Sequence, residues 1–236
     1  MKTVIMAGGR GTRISSVASD IPKPMIKIEG KPVLEHELEC LRDQGFTDII
    51  LTVSHLGSII MDYFGDGSGI SPATGKPFGV HIEYYFEKEP LGNAGALFKI
   101  KDKLTSDFLL LNADAMFDVD FNRFVAFHNQ HGGLVTLFTH PNSHPYDSGL
   151  IIADKKYSVE QWLAKEDDRP KYYRNRVNAG LHVINPLILD QSGIDADKVG
   201  TLDDNGKPIK VDLDRQLLKP LAGTGKMFCY DSPEYV

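Results

Sequence analysis

Apolar and polar positions along this chain alternate between two periods. Thr3–Met6, Asp48–Val53, Val80–Phe86 and Phe108–Leu111 are short runs dense in aliphatic and β-branched residues, as buried strands are. Between them, Pro32–Gln44, Leu56–Phe64 and Asn93–Leu104 repeat apolar residues at three and four positions, which predicts helices with one face in a core. In the first of these helices Pro32 sits near the start, Leu34, Leu38 and Leu41 form one stripe, and Gly45 follows as a C′ residue. A further helix is expected at Phe121–His131, started by Asp118 and Asp120. This rhythm predicts an α/β fold: a mostly parallel mixed sheet, Rossmann-like, flanked by helices on both faces. From Gly133 the chain turns strand-rich, with Leu134–Thr139, Gly149–Ala153 and Val177–Ile184, and a polar stretch Lys165–Arg176 between the last two.

Composition narrows the picture. The 236 residues, 42% of them hydrophobic, are enough for one large domain with a sizeable core. A net charge of −6 without a basic tract argues against nucleic-acid partners. No 18-residue apolar run is present and the opening is too soon broken for a signal sequence, so a cytoplasmic protein without membrane contact is expected. Cys40 and Cys229 form no C-x-x-C and read as free thiols. Asp66–Phe78, rich in glycine and proline, is expected to be an extended loop, either on the ligand side or as a surface insertion.

The chemistry begins where the first strand runs into Gly8-Gly9-Arg10-Gly11-Thr12-Arg13, followed by Pro22-Lys23-Pro24-Met25. Glycines let consecutive backbone N–H groups close on one phosphate. Arg13 can fork onto two phosphate oxygens, and Lys23 lies between two prolines that limit its backbone freedom. Two other phosphate motifs fail. Gly69 to Gly75-Lys76-Pro77 has five intervening residues and ends in Pro, unlike a P-loop, and Gly8, Gly9 and Gly11 lack G-x-G-x-x-G spacing. Further on, the strand Phe108–Leu111 ends in Asn112-Ala113-Asp114, which puts the Asp114 carboxylate at the edge where open α/β sheets bind ligands. One carboxylate beside a triphosphate is enough to begin a Mg²⁺ site.

The strand, GGRGTR, PKPM and the Gly30-Lys31-Pro32 that leads a helix together resemble the sugar-1-phosphate nucleotidyltransferases over nearly the whole chain. Arg13–Pro22 looks more like the guanylyltransferases acting on manno-heptose 1-phosphate, and the sugar, heptose or mannose, stays open since both share the manno arrangement. The resemblance implies a nucleotide-binding half at 1–132 and a smaller sugar-phosphate-binding half at 133–236. It implies nucleotide contacts from Ala7, Gly8, Gly9, Gly11, Thr12, Arg13, Lys23, Glu87, Gly92 and Asn93, with Arg13 and Lys23 catalytic and Asp114 on Mg²⁺. Glu87, Pro90, Leu91, Gly92 and Asn93 resemble the family's base-binding E-x-x-P-L-G-T, with Asn93 in place of Thr. A carboxylate accepts both the N1–H and N2–H₂ of guanine, which favours GTP over UTP, dTTP or CTP. Gly92 and Gly95 also fit a role in close helix packing. For the sugar phosphate the resemblance implies Asn112, Gly149, Lys165 and Asn178, with Ala164 where the family has Glu and Glu166 beside it.

Two other classes remain open. Asp118-Val119-Asp120 resembles the D-x-D of metal-dependent glycosyltransferases, and a nucleotide-binding regulatory domain would keep the same pocket without turnover. The family's second metal-binding Asp lies in a closing D-x-G-T-P that Asp231-Ser232-Pro233 does not reproduce. The natural protein is therefore expected to continue past Val236, with a further C-terminal domain as one outcome. Sequence leaves the oligomeric state open.

Overall fold

A computed structural model describes residues 1–8, 21–116, 118–142, 149–164 and 166–232. Its first elements are β1 (Thr3–Met6), β2 (Lys27–Ile28), β3 (Lys31–Pro32), α1 (Val33–Asp43), β4 (Asp48–Val53), α2 (Gly57–Phe64), β5 (His81–Phe86), α3 (Gly95–Lys99) and β6 (Phe108–Asn112). There follow α4 (Phe121–His131), β7 (Val135–His140), β8 (Leu150–Ala153), β9 (Val159–Leu163), β10 (Val177–Ile184), α5 (Leu187–Gln191) and β11 (Met227–Asp231). The main sheet has the order β11-β7-β10-β6-β1-β4-β5, with β8 joined to β10 and β9 to β8. Strands from both sides of residue 133 therefore share one sheet. β6, β1, β4 and β5 are mutually parallel, and β10 runs against them between β6 and β7.

Side-chain alternation divides this sheet between two cores. On β6, Phe108 and Leu110 enter one cluster while Leu109 and Leu111 enter the other; Val4 and Ile5 of β1 separate in the same way. α1, α2 and α4 cover the second face through Leu34, Leu38, Leu41, Ile60, Phe64, Phe121 and Phe124. The first face is covered by α3, α5 and the helical turn at Leu213–Leu218. α1 ends as its sequence expects, with Gly45 at φ +87° and its N–H on the Arg42 carbonyl. Asp120 caps α4, accepting from Arg123 N–H at 2.9 Å.

The structure departs from the sequence reading in three places. The helix expected at Asn93–Leu104 begins only at Gly95, since Ala94 (φ −138°, ψ −8°) lies outside helical backbone with its N–H on the Val211 carbonyl, and it runs for the five residues of α3 before a 3₁₀ turn at Lys101–Lys103. β9 lies in sequence that gives no strand pattern: Val159 and Trp162 are buried but Glu160 and Gln161 are exposed. The loop 66–78 is not on the ligand side. It joins the end of α2 to the start of β5, so it lies at the opposite edge of the parallel strands from their C-terminal ends, with Ile70 and Pro77 bridging its own two arms.

Leu38 on α1 is 1% exposed within the second core. Leu38→Ala should lower unfolding free energy by about 2–5 kcal/mol, read from urea unfolding with unchanged m-value.

Candidate active site

The chain leaves β1 for β4 and β5 on one side and returns to β6 on the other, so the strand order reverses between β1 and β6. Open α/β sheets form a ligand crevice outside the carboxyl ends at such a point. A cavity of about 850 Å³ lies there. Its walls are the residues that follow each parallel strand: Ala7 and Gly8 after β1, Ser54 and His55 after β4, Glu87 after β5, and Ala113 and Asp114 after β6. Backbone bonds fix these exits: Ala7 N–H to the Thr52 carbonyl (2.9 Å), Ala113 N–H to Met6 (3.2 Å) and Glu87 N–H to Val53 (2.7 Å).

Lys23 is half-buried in a 3₁₀ turn, Lys23–Met25, held by Met25 N–H on the Pro22 carbonyl at 2.8 Å. Its Nζ lies 3.7 Å from Asp114 Oδ2, so the expected cation and the expected metal ligand meet in the crevice. Lys31 points away and pairs with Glu39 on α1. Arg13 and the glycines at 9 and 11, with Thr12, lie outside the described residues, as does Lys165.

At the other wall Glu87 is 6% exposed. Its carboxylate meets the Leu91 backbone N–H, and burial pushes its pKa up to about 7. A Cβ on Gly8 would come 2.5 Å from Glu87 Oε1, so the missing side chain there is what admits the acid beside β1. Ser54 Oγ donates to the Gly8 carbonyl at 2.5 Å.

Gly92 and Asn93 line the cavity, yet both are also structural. Gly92 has φ +84°, and the Val211 carbonyl sits 2.3 Å from where a Cβ would be. Asn93 Oδ1 accepts Leu213 N–H at 2.7 Å. These contacts, with Val211 N–H on the Leu91 carbonyl, bring Lys210 into the cavity wall. Sequence reading missed Lys210, and also Phe86, 49% exposed at the end of β5 against the same space. Gly95 packs as a helix contact, a Cβ there meeting Leu91 at 2.7 Å.

The expected sugar-side residues lie apart from that wall. Asn112 lines the cavity and its Nδ2 reaches 2.6 Å from where a Cβ of Gly180 would stand. Gly149 meets the Trp162 indole, 2.8 Å from its would-be Cβ, so its open space is used for packing. Asn178 is half-buried at the start of β10. Asp231 is buried between Arg174 (2.6 Å) and Arg176 (2.9 Å), which occupy its carboxylate. Both cysteines are free, and burial raises each thiol pKa.

Residues 2–214 match the family described as Nucleotidyl transferase. This chain belongs to the nucleotidyl transferase family. It is 33% identical over 194 residues to Mannose-1-phosphate guanyltransferase 2 of Candida glabrata, covering 80% of this chain and 51% of that protein. Mannose-1-phosphate guanyltransferase of Saccharomyces cerevisiae is 32% identical over the same shares. The chain spans about half the length of the curated relatives it matches. HddC from Yersinia pseudotuberculosis, 25% identical, superposes with a TM-score of 0.74 over 99% of this chain and 91% of its own, and its crystal structure is also known complexed with GMP-PN.

Among the described residues of this family member, one group of three side chains able to ligate a metal converges, Asp48, His81 and Glu83. It sits at the opposite sheet edge from the crevice, where Lys2 pairs with Asp48 and Glu83, and Lys103 with Glu83. Those cations already neutralise it. Nearer the crevice, Glu37 on α1 is buried without a hydrogen-bond partner among the described residues, and burial, then the Asp114 charge, holds its carboxyl well above the usual range. No helix among the described residues is long and apolar enough to cross a membrane.

Glu87 gives the pH dependence a sign. Between its ordinary value of 4.5 and about 7 the folded state binds more protons there than the unfolded state, so this group's stabilisation is lost as pH rises through that window. Asp214, raised to about 6 by burial, acts in the same direction, whereas buried His182 acts oppositely. Glu87→Gln should therefore gain on the wild type by up to about 3 kcal/mol between pH 4.5 and 7.5, measured as the difference between their denaturation curves. A pH-independent difference would show that Glu87 does not titrate there.

Proposed function

We propose that the chain carries the site at which the phosphate oxygen of a sugar 1-phosphate attacks the α-phosphorus of GTP in line, expelling pyrophosphate and leaving a GDP-sugar. The observation that supports this reading best is the opposition, within one crevice at the strand-order reversal, of Lys23 with Asp114 on one side and buried Glu87 on the other. A triphosphate needs cations at the first wall. A guanine edge offers two donors to a carboxylate at the second.

No covalent intermediate is required, so the protein works by placement and charge neutralisation. Lys23, on its proline-bounded turn, binds the α- and sugar phosphates; Arg13 and the Gly8–Gly11 amides hold the departing phosphates. Glu87 and the Leu91–Asn93 loop orient the base, and Phe86 offers an apolar surface beside it. Lys210 adds a third cation. The Asp114 carboxylate, a hard oxygen donor on a strand end with its side chain 52% exposed, fits Mg²⁺ as a ligand. Bound there with the nucleotide, Mg²⁺ would neutralise phosphate charge as it builds on the leaving group. Asn112, Lys165 and Asn178 serve the acceptor in this reading, with Gly149 supporting it. The acceptor has the manno configuration, in keeping with the relatives named mannose-1-phosphate guanyltransferases.

Pyrophosphate release should occur with GTP and mannose or manno-heptose 1-phosphate in the presence of Mg²⁺, and fall by about 10²–10³-fold in Lys23→Met with unchanged circular dichroism. Release with UTP, dTTP or CTP in preference to GTP would keep the reaction and overturn the role of Glu87. Sugar transfer without pyrophosphate would point to a glycosyltransferase, and nucleotide binding without turnover to a regulatory domain.

A further inference from the structure

β10 departs from regular geometry at one place, and the departure joins two side chains that a strand would hold apart. Asn178 pairs with Thr139 of β7 and His182 with Leu137, so four steps along β10 oppose two along β7. In a regular strand residues four apart lie about 13 Å from each other. Here His182 Nε2 is 3.0 Å from Asn178 Oδ1. The bulge is made possible by Gly180 at φ +78°, which also lies against Asn112 at the end of β6.

The hydrogen-bond directions follow from a single fixed donor. Gly180 N–H also reaches Asn178 Oδ1, at 3.3 Å, and a backbone N–H can only donate. The atom facing His182 is therefore the amide oxygen, so Nε2 must carry the hydrogen and donate. Nδ1 is then the bare nitrogen, buried with no partner among the described residues. His182 is 1% exposed, and desolvation pushes its pKa down to about 3, so the ring stays neutral. Its registered partners, Leu110 on β6 and Leu137 on β7, carry no charge, and burial is the one cause of its lowered pKa. The Asn178 oxygen is held twice, and among the described residues no hydrogen bond engages the Asn178 amide hydrogens.

We infer that His182 is a positioning residue for the acceptor sugar: it locks Asn178 so that the amide nitrogen, a donor, faces a sugar hydroxyl. This rests on the reading of Asn178 as an acceptor contact. The cost of leaving Nδ1 unpaired in the core is what an apolar residue at 182 would avoid. A sequence selected for stability alone has no use for a histidine there.

The test is calorimetric titration of mannose 1-phosphate into the protein loaded with a non-hydrolysable GTP analogue. His182→Leu should weaken mannose 1-phosphate binding by about tenfold, the scale of one lost hydrogen bond. GTP-analogue affinity should not change. His182→Gln, whose amide N–H₂ can reach Asn178, should restore most of the binding, and combining His182→Leu with Asn178→Ala should add little to Asn178→Ala alone. Binding weakened by Asn178→Ala but not by His182→Leu would overturn the inference and leave the acceptor reading standing. Failure of the wild type to bind mannose 1-phosphate, or indifference to Asn178→Ala, would overturn the acceptor reading and the inference with it. Should His182→Leu fail to fold, two-bond ¹H–¹⁵N correlation of the wild-type histidines decides the matter. His182 must show the Nε2–H tautomer from pH 6 to 8 and shift when mannose 1-phosphate is added; the other tautomer, an imidazolium or an unmoved signal would refute it.

Discussion

Everything at the crevice depends on the hydrogen-bonded register of one four-residue strand. β1 pairs with β4 on one side and β6 on the other, from Thr3 to Met6. Those two ladders carry the next residues out together, so that Ala7 is tied to Thr52 and Ala113 to Met6 before any side chain contributes. A slip of one residue would turn Ile5, which is fully buried, toward the other core and move Ala7 off its partner. The fully buried leucines at 109, 110 and 111 on β6 and the aliphatics of β4 resist that slip from both faces. The hydrophobic effect sets the register, and the register sets the geometry of the polar groups.

Against this rigid frame the electrostatics are left partly uncompensated. Glu87 is buried without a cation among the described residues, and a lone buried carboxylate is costly enough to hold its proton near neutral pH. Lys23 and Asp114, by contrast, face each other at 3.7 Å with half of Asp114 in water, a pair too open to add much stability. Neither arrangement is one that folding alone favours. Both make sense if ligand groups complete them, a base edge on one wall and phosphates on the other.

The parallel half of the fold was legible because its strands are short, continuous apolar runs bounded by turn residues, and β1, β4 and the helix at 121–131 were found at their observed limits. β9 was not, because a hairpin strand with Glu160 and Gln161 both exposed breaks the two-residue period. Lys23, Asp114 and Glu87 could be read because each lies within a few residues of a strand end or a proline-fixed turn. Lys210 could not, since its place depends on a backbone and side-chain clasp between segments 120 residues apart. The same clasp explains why Gly92 and Asn93 read as ligand contacts in sequence while the structure also uses them to anchor that segment.

The two walls of the site solve the problem of precision by different means. On the side proposed for the nucleotide, four parallel strands end together, and their exits are fixed by regular ladders that no single residue controls. On the side proposed for the sugar, β10 runs antiparallel, so the chain enters the sheet edge beside the crevice at its start, where Asn178 stands just before the bulge. Position there cannot come from strand register alone, because the bulge between Asn178 and His182 breaks it. It has to come from side chains, and a neutral buried imidazole is well suited: it offers one donor in a fixed plane and holds no charge that a nearby phosphate could draw out of place.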